Sequence, residues 1–275
     1  MTITGRTKIT GIFGYPVEHT LSPAMHNAAF EHLGLDYCYL PFLVRPEHLG
    51  KAVDGIRALS MAGVSITVPH KETVIPFLDQ VSEEARFIGA VNTIVNSGGR
   101  LFGHNTDGRG FMRSLAENRI DLPGKKVLVT GAGGAARAIC YYLGEKAGSL
   151  TIYNRSRAKA ESLASDLSAI RPHVAATDTP GDLGQYDIII NATSLGLKQD
   201  DPLPFDAGML RPQQVVCDLI YKRTRLLEAA EKRGCRTLDG LGMLLYQGVL
   251  AFELWTSVEA PVAVMKNGLL RGMGN

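Results

Sequence analysis

Near the middle of the chain the apolar run Lys126-Val127-Leu128-Val129-Thr130 leads straight into Gly131, Ala132, Gly133, Gly134, Ala135 and Ala136. Beyond the glycines, Ala135, Ala138, Ile139, Tyr142, Leu143 and Ala147 recur at helical spacing. Strand, glycine turn and helix in that order is the setting in which a GxGxxA pattern cradles phosphate. The first glycine permits a tight turn, and the second lets backbone N–H groups approach a pyrophosphate at a helix N-terminus. Ala136 stands where only a small residue lets the helix lie close to its strand. Three glycines in positions 131–134 carry a conformational cost that a plain strand–helix connection would not justify. The loop therefore constrains the fold to a parallel sheet covered by helices.

The flanking sequence agrees. Six short apolar runs, at residues 127–130, 150–153, 174–176, 188–191, 215–219 and 236–238, alternate with helical stretches at 135–146, 157–167 and 226–232. That is the pattern of a doubly wound sheet. Upstream, residues 9–13, 37–44 and 64–68 read as strands, with helices over 23–33 and 47–59 and further helix from 71 to 88. Residues 91–95 and 100–104 flank Asn96-Ser97-Gly98-Gly99 as a hairpin, and 108–118 reads as helix. Two apolar helices, 241–255 and 261–271, close the chain with no strand after them. They need an apolar partner, and the first domain is the economical one. The expected fold class is α/β with two α/β domains. A substrate domain covers 1–106 and is completed by the C-terminal helices of 240–275, and a Rossmann-type, doubly wound nucleotide domain covers 107–239.

Composition narrows the function. Lys+Arg 29 against Asp+Glu 27 leaves a formal charge of +2 with no basic run, which argues against a nucleic-acid surface. The longest apolar run, 243–255, is broken by Gln247 and Glu253, and residues 1–10 carry no apolar signal core. Cys38, Cys140, Cys217 and Cys235 lack metal-ligand spacing and read as buried thiols of a reducing compartment. The expectation is a cytoplasmic protein, monomer or homodimer, that binds a small molecule, no metal and no membrane.

Dinucleotide, flavin and S-adenosylmethionine sites share such glycine loops, so the second strand of the nucleotide domain must discriminate. An NAD site usually ends that strand in a carboxylate that holds the ribose hydroxyls. Here Tyr153 is followed by Asn154, Arg155, Ser156 and Arg157, with Lys159 beyond. A cationic cluster with a hydroxyl suits the 2′-phosphate of NADP.

In the first half, polar groups gather at predicted strand ends: His19-Thr20-Leu21-Ser22-Pro23, Ser65-Ile66-Thr67-Val68-Pro69-His70-Lys71, Ala90-Val91-Asn92-Thr93 and Asn105-Thr106-Asp107-Gly108. Singly, each has a plainer reading. Ser22 before Pro23 is a helix-cap signature, Thr67 a β-branched strand residue, and Asp107 the cap of the next helix. Together, their hydroxyls, amide, ammonium and carboxylate suit a small polyhydroxylated anion.

With Gly14-Tyr15-Pro16, Asn191-Ala192-Thr193-Ser194-Leu195-Gly196 and residues 218–221 and 239–247, these segments resemble the shikimate dehydrogenase family along nearly the whole chain. The resemblance implies NADPH-linked reduction of 3-dehydroshikimate to shikimate on the route to aromatic amino acids. It implies that Thr20 and Ser22 hold the substrate carboxylate, with Tyr221 nearby, and that Thr67, Asn92, Asp107 and Gln247 contact ring hydroxyls. Lys71 and Asp107 would form the catalytic pair. Gly131, Ala132, Gly133, Gly134, Ala135, Asn154, Arg155, Ser156, Lys159, Thr193, Leu219 and Gly240 would meet the cofactor, and Glu83 its nicotinamide side. Three positions depart from the family pattern: Thr20 replaces a serine, Ser65 an asparagine and Lys159 an arginine. The first two admit quinate as a substrate, and the third trades a bidentate fork for a point charge. A silent NADP-binding sensor is the reading from another class, and the presence of both Lys71 and Asp107 speaks against it.

Overall fold

In the computed structural model, which describes residues 2–274, one unit runs to Thr106 and resumes at Leu245, while the other is Asp107–Leu244.

The first unit comprises β1 (Lys8–Gly14), α1 (Ser22–His32), β2 (Tyr37–Leu43), α2 (Leu49–Ala58), β3 (Gly63–Ile66), β4 (Gln80–Val81), α3 (Glu83–Ile88), β5 (Thr93–Ser97) and β6 (Arg100–His104). They form a six-stranded sheet in the order β2-β1-β3-β5-β6-β4. β1 runs parallel to β2 and β3, whereas β5 is antiparallel to β3 and β6. Phe13, Val64, Ile66 and Ile94 pack with Val53 and Ile56 of α2 into one core. The helix expected over 71–88 is instead a turn, a short 3-10 segment at Ile75–Phe77, β4 and then α3. Pro76 has no N–H to continue a helix. Asp79 accepts the Leu101 N–H at 2.7 Å and an Arg57 N–H at 2.9 Å, which ties the segment to β6.

The second unit comprises α4 (Asp107–Glu117), β7 (Lys126–Thr130), α5 (Gly134–Lys146), β8 (Ser149–Tyr153), α6 (Arg157–Ser168), β9 (Val174–Thr177), β10 (Ile188–Asn191), β11 (Val215–Asp218), α7 (Arg225–Lys232) and β12 (Arg236–Leu238). Its sheet is parallel throughout, in the order β12-β11-β10-β7-β8-β9. The strand order reverses at β7, the doubly wound arrangement. On α5 the buried residues are Ala136, Ala138, Ile139, Cys140, Leu143 and Gly144; Ala135, expected among them, is exposed.

The chain ends in α8 (Leu241–Thr256) and α9 (Val262–Met273). α9 packs on α1, and the Trp255 indole N–H of α8 donates to Ile94 O at 2.9 Å. The face opposite α2 is aromatic: His26 stacks on Tyr39 at 4.5 Å, with Phe252 and Trp255 at 6.4 and 5.2 Å. All four cysteines are buried. No helix among the described residues is long and apolar enough to cross a membrane.

Burial in this stack pushes His26 down to about 3. An unfolded imidazole titrates near 6.5, so between those values the unfolded chain binds the extra proton. This contribution to stability is whole above pH 6.5 and is lost as pH falls toward 3, by about 1.4 kcal/mol per pH unit. Thermal melts should therefore show a shallower acid slope in His26→Phe than in the parent, the gap reaching about 2 kcal/mol by pH 5. Parallel slopes would show that the ring is solvated in the folded chain.

Candidate active site

Strand register gathers the polar segments of the first unit on one rim of its sheet. β1 and β3 are parallel and end there, and the Ile66 N–H donates to Asn92 O at 2.7 Å just before β5 begins. The Asn92 N–H donates to His104 O at 3.0 Å, where β6 ends. Helix α1 starts on the same rim, as a strand–helix crossover from β1 requires. Thr20, Ser22, Thr67, Lys71, Asn92 and Thr106 therefore share one end of the unit.

Each is held by its surroundings. Ser22 is not a cap: Leu21 takes that position without a side-chain bond, and Ser22 is the buried first residue of the helix. Its hydroxyl is left for another use. Thr20 Oγ1 accepts the Ser22 N–H at 3.4 Å. Thr67 turns its methyl onto Gly14, where a side chain would collide with it. Lys71 is half-buried, and its carbonyl accepts the Val91 N–H at 2.8 Å. Asn92, 2% exposed, receives the Thr106 N–H on Oδ1 at 2.8 Å and donates from Nδ2 to Thr106 Oγ1 at 3.0 Å. That double hold fixes the residue to which Asp107 is joined. Asp107 is buried and is the first residue of α4, inside the helix rather than before it. Gln247 is half-buried on α8. Exposed Glu83 opens α3, which Ser82 caps, and a carboxylate suits that helix start without any ligand.

In the second unit the ends of β7, β8, β10 and β11 form the corresponding rim. Gly131 has φ +115°, and a Cβ there would lie 2.8 Å from Ala192 O, so the fold itself demands glycine. Gly133 and Gly134 differ: neither has positive φ, and an added Cβ would meet nothing within 4 Å. Among the described residues no atom requires glycine at either place. The space lies at the N-terminus of α5, whose first turn holds no acidic residue. A diphosphate fits there, because backbone donors and the helix dipole favour an anion.

Residues 154–159, directly after β8, include no carboxylate. Arg157 is committed to Glu161 at 2.7 Å and to Asp178 at 2.9 Å. Arg155 and Lys159 are exposed and carry no ion pair among the described residues. Ser156 precedes α6 without capping it by its hydroxyl, and Asn154 Nδ2 donates to Ser156 O at 3.0 Å. An exposed pair of cations beside a spare hydroxyl fits a ribose phosphate.

Thr193 and Gly240 serve the loops themselves. Thr193 Oγ1 donates to Asn191 Oδ1 at 2.7 Å and accepts the Leu195 N–H at 3.1 Å. Gly240 lies against the carbonyl of Leu219, where any side chain would clash. Tyr221 is 40% exposed.

Two organising residues lie inside segments singled out by sequence but carry no role there. Asp218, 1% exposed, accepts from Thr224 at 2.8 Å and from the Ile220 N–H and Asn191 Nδ2 at 3.1 Å each. Burial pushes its carboxyl up, and those donors offset part of the rise. Buried His70 donates from Nε2 to Val44 O at 2.7 Å and so pins the turn that carries Lys71. Its signal was adjacency to Lys71 within one motif.

Known proteins match this arrangement over the whole chain. The shikimate dehydrogenase substrate binding domain model covers residues 12–94, a shikimate/quinate 5-dehydrogenase model 114–197, and the shikimate 5′-dehydrogenase C-terminal domain 240–270. A shikimate dehydrogenase (NADP(+)) of Desulforamulus reducens is 51% identical over 97% of this chain and 96% of its own. A crystal structure of a shikimate dehydrogenase in complex with NADP+ superposes with a TM-score of 0.92 at 41% identity, over 98% of this chain and 97% of that one. The ligand-free 5-ketofructose reductase of Gluconobacter sp. strain CHM43 gives 0.88 at 38% identity, over 98% and 99%. With matching models along its length and a relative at half identity, the chain belongs to the shikimate dehydrogenase family of oxidoreductases.

Proposed function

We propose that the chain interconverts 3-dehydroshikimate and shikimate with NADP, in the route to aromatic amino acids. The observation that carries this reading is the glycine cradle at Gly133 and Gly134, open at the start of α5 and followed after β8 by Arg155 and Lys159 rather than a carboxylate. Backbone N–H groups of residues 132–135 hold the diphosphate, and Arg155, Ser156 and Lys159 hold the 2′-phosphate. When bound, NADPH supplies hydride from C4 of its nicotinamide ring.

Residues of the first unit, with Asp107, supply the rest. Ser22 and Thr20 donate to the substrate carboxylate. Thr67, Asn92 and Gln247 orient the ring through its hydroxyls. The Lys71 ammonium delivers a proton to the ketone oxygen as hydride reaches the carbon, and takes it back in the reverse direction. Asp107 takes the other role of the catalytic pair, holding the hydroxyl next to the ketone. Asn92 contributes twice, through the ring and through Thr106.

Mixing the protein with shikimate and NADP+ should produce the absorbance of reduced nicotinamide; silence at micromolar enzyme would overturn the reading. Arg155→Ala should raise KM for NADP+ about 30-fold, the value of one charge-assisted hydrogen bond, and leave KM for NAD+ unchanged. Equal losses for both cofactors would place the 2′-phosphate elsewhere.

Quinate is the second reading. Ser65 and Thr20 admit it, since Thr20 adds a methyl group to the hydroxyl that the family pattern has and Ser65 lacks the amide of the asparagine it replaces, and the model matched at 114–197 covers quinate enzymes as well. The ratio of kcat/KM for the two acids decides between them.

A further inference from the structure

Tyr39 has no part in the chemistry above, yet it neighbours Ser22, which does. It is fully buried on β2. Asn27 clamps its backbone, donating from Nδ2 to Tyr39 O at 3.0 Å and accepting the Tyr39 N–H at 2.8 Å. His26 stacks on its ring at 4.5 Å and Trp255 lies at 5.9 Å, so the phenol stands in a dry aromatic wall.

Register shows what its hydroxyl can reach. Tyr39 pairs with Thr10 of β1, and Thr10 pairs with Gly63 of β3. Tyr39, Gly63 and, two residues on, Ser65 therefore present their side chains to the same face of the sheet. Ser22 lies one turn before His26 on α1, on the same side of that helix. The two serines, 6% and 7% exposed, thus approach the outer end of the phenol from helix and strand. Burial pushes the Tyr39 hydroxyl up, and its neighbours Ser65 and Ser22 offset part of that rise. Even so, among the described residues no atom meets Tyr39 Oη with hydrogen-bond geometry. A buried polar group in that condition costs about 1–3 kcal/mol.

We infer that Tyr39 is a positioning residue for the substrate carboxylate, forming with Ser65 and Ser22 a one-way chain of hydroxyls that closes when the anion binds. Ser65 Oγ–H donates to Tyr39 Oη, Tyr39 Oη–H donates to Ser22 Oγ, and Ser22 Oγ–H donates to the carboxylate. A serine has a single hydroxyl hydrogen, and the protein can turn it outward only by presenting a donor to the oxygen's lone pair. In a dry wall the successive bonds polarise one another and strengthen the last. Ser65 fits this role, because a hydroxyl on β3 can end such a chain without reaching the ligand itself. The inference rests on the dehydrogenase reading, which supplies the carboxylate.

Tyr39→Phe tests it, keeping ring and stacking while deleting the hydroxyl. Two substrates are compared: shikimate, and the analogue in which a hydroxymethyl group replaces the carboxylate. For shikimate KM should rise about tenfold with kcat within about twofold, the loss of a bond that feeds a charged acceptor. KM for the analogue and for NADP+ should not move. The melting temperature of the ligand-free variant should equal or exceed the parent's, since an unpartnered hydroxyl has been removed. Equal KM increases for both substrates, unchanged KM for both, or a lowered melting temperature without a difference between substrates would overturn the inference while leaving the dehydrogenase reading intact. A parent that fails to oxidise shikimate would overturn both.

Discussion

In the reduction direction Lys71→Ala is expected to lower kcat about a thousandfold while KM for 3-dehydroshikimate moves less than about threefold. The split follows from where Lys71 is held. Its carbonyl accepts the Val91 N–H, His70 N–H donates to Thr67 O, and His70 Nε2 anchors the turn to Val44. None of these bonds involves the ammonium, so the variant keeps its backbone and the ring contacts of Thr67 and Asn92. What disappears is proton delivery in the transition state. With chemistry made slow, the deuterium isotope effect from C4-labelled NADPH should rise toward its full value, because product release no longer masks hydride transfer. Ethylamine should restore part of the rate. Parent-like turnover would remove Lys71 from the mechanism. A large KM increase at unchanged kcat would make it a binding group instead.

How much of this was legible without coordinates depended on the range of the interactions. The strands of the second unit were readable because each is a short apolar run followed by a helix of its own. Residues 188–191 and 236–238 form strands at the predicted limits. The stretch after Lys71 was misread because its hydrophobic spacing resembles a helix, whereas Asp79 is drawn to Leu101 and Arg57, both more than twenty residues away. Ser22 showed the opposite failure. Its local sequence signals a cap, but the chain enters α1 one residue earlier and buries the hydroxyl. Asp218 and Tyr39 were invisible in function because their partners, Asn191 and Thr224 for one, Asn27 and His26 for the other, meet them only in the fold. The resemblance to a family named the rim residues; register explains why they share a rim.

The glycine loop separates fold from ligand in one experiment. Gly131→Ala should lower stability by several kcal/mol: its φ of +115° is strained for any side chain, and the new Cβ would press on Ala192 O at 2.8 Å, a backbone atom that cannot yield cheaply. Gly133→Val should cost at most about 1 kcal/mol, the loss of a favoured residue before α5, because its φ is −85° and nothing lies within 4 Å of the added Cβ. Its effect falls on the cofactor. Branched carbon in the cradle keeps the diphosphate off the backbone N–H groups, and two charge-assisted bonds lost at about 1.5 kcal/mol each weaken NADP+ roughly a hundredfold. Melting curves and NADP+ titrations of both variants give four numbers. Gly131→Ala should move the melt and Gly133→Val the titration. If Gly133→Val bound NADP+ as tightly as the parent, the open space at the start of α5 would not be the diphosphate site, and the cofactor assignment would lose its main support.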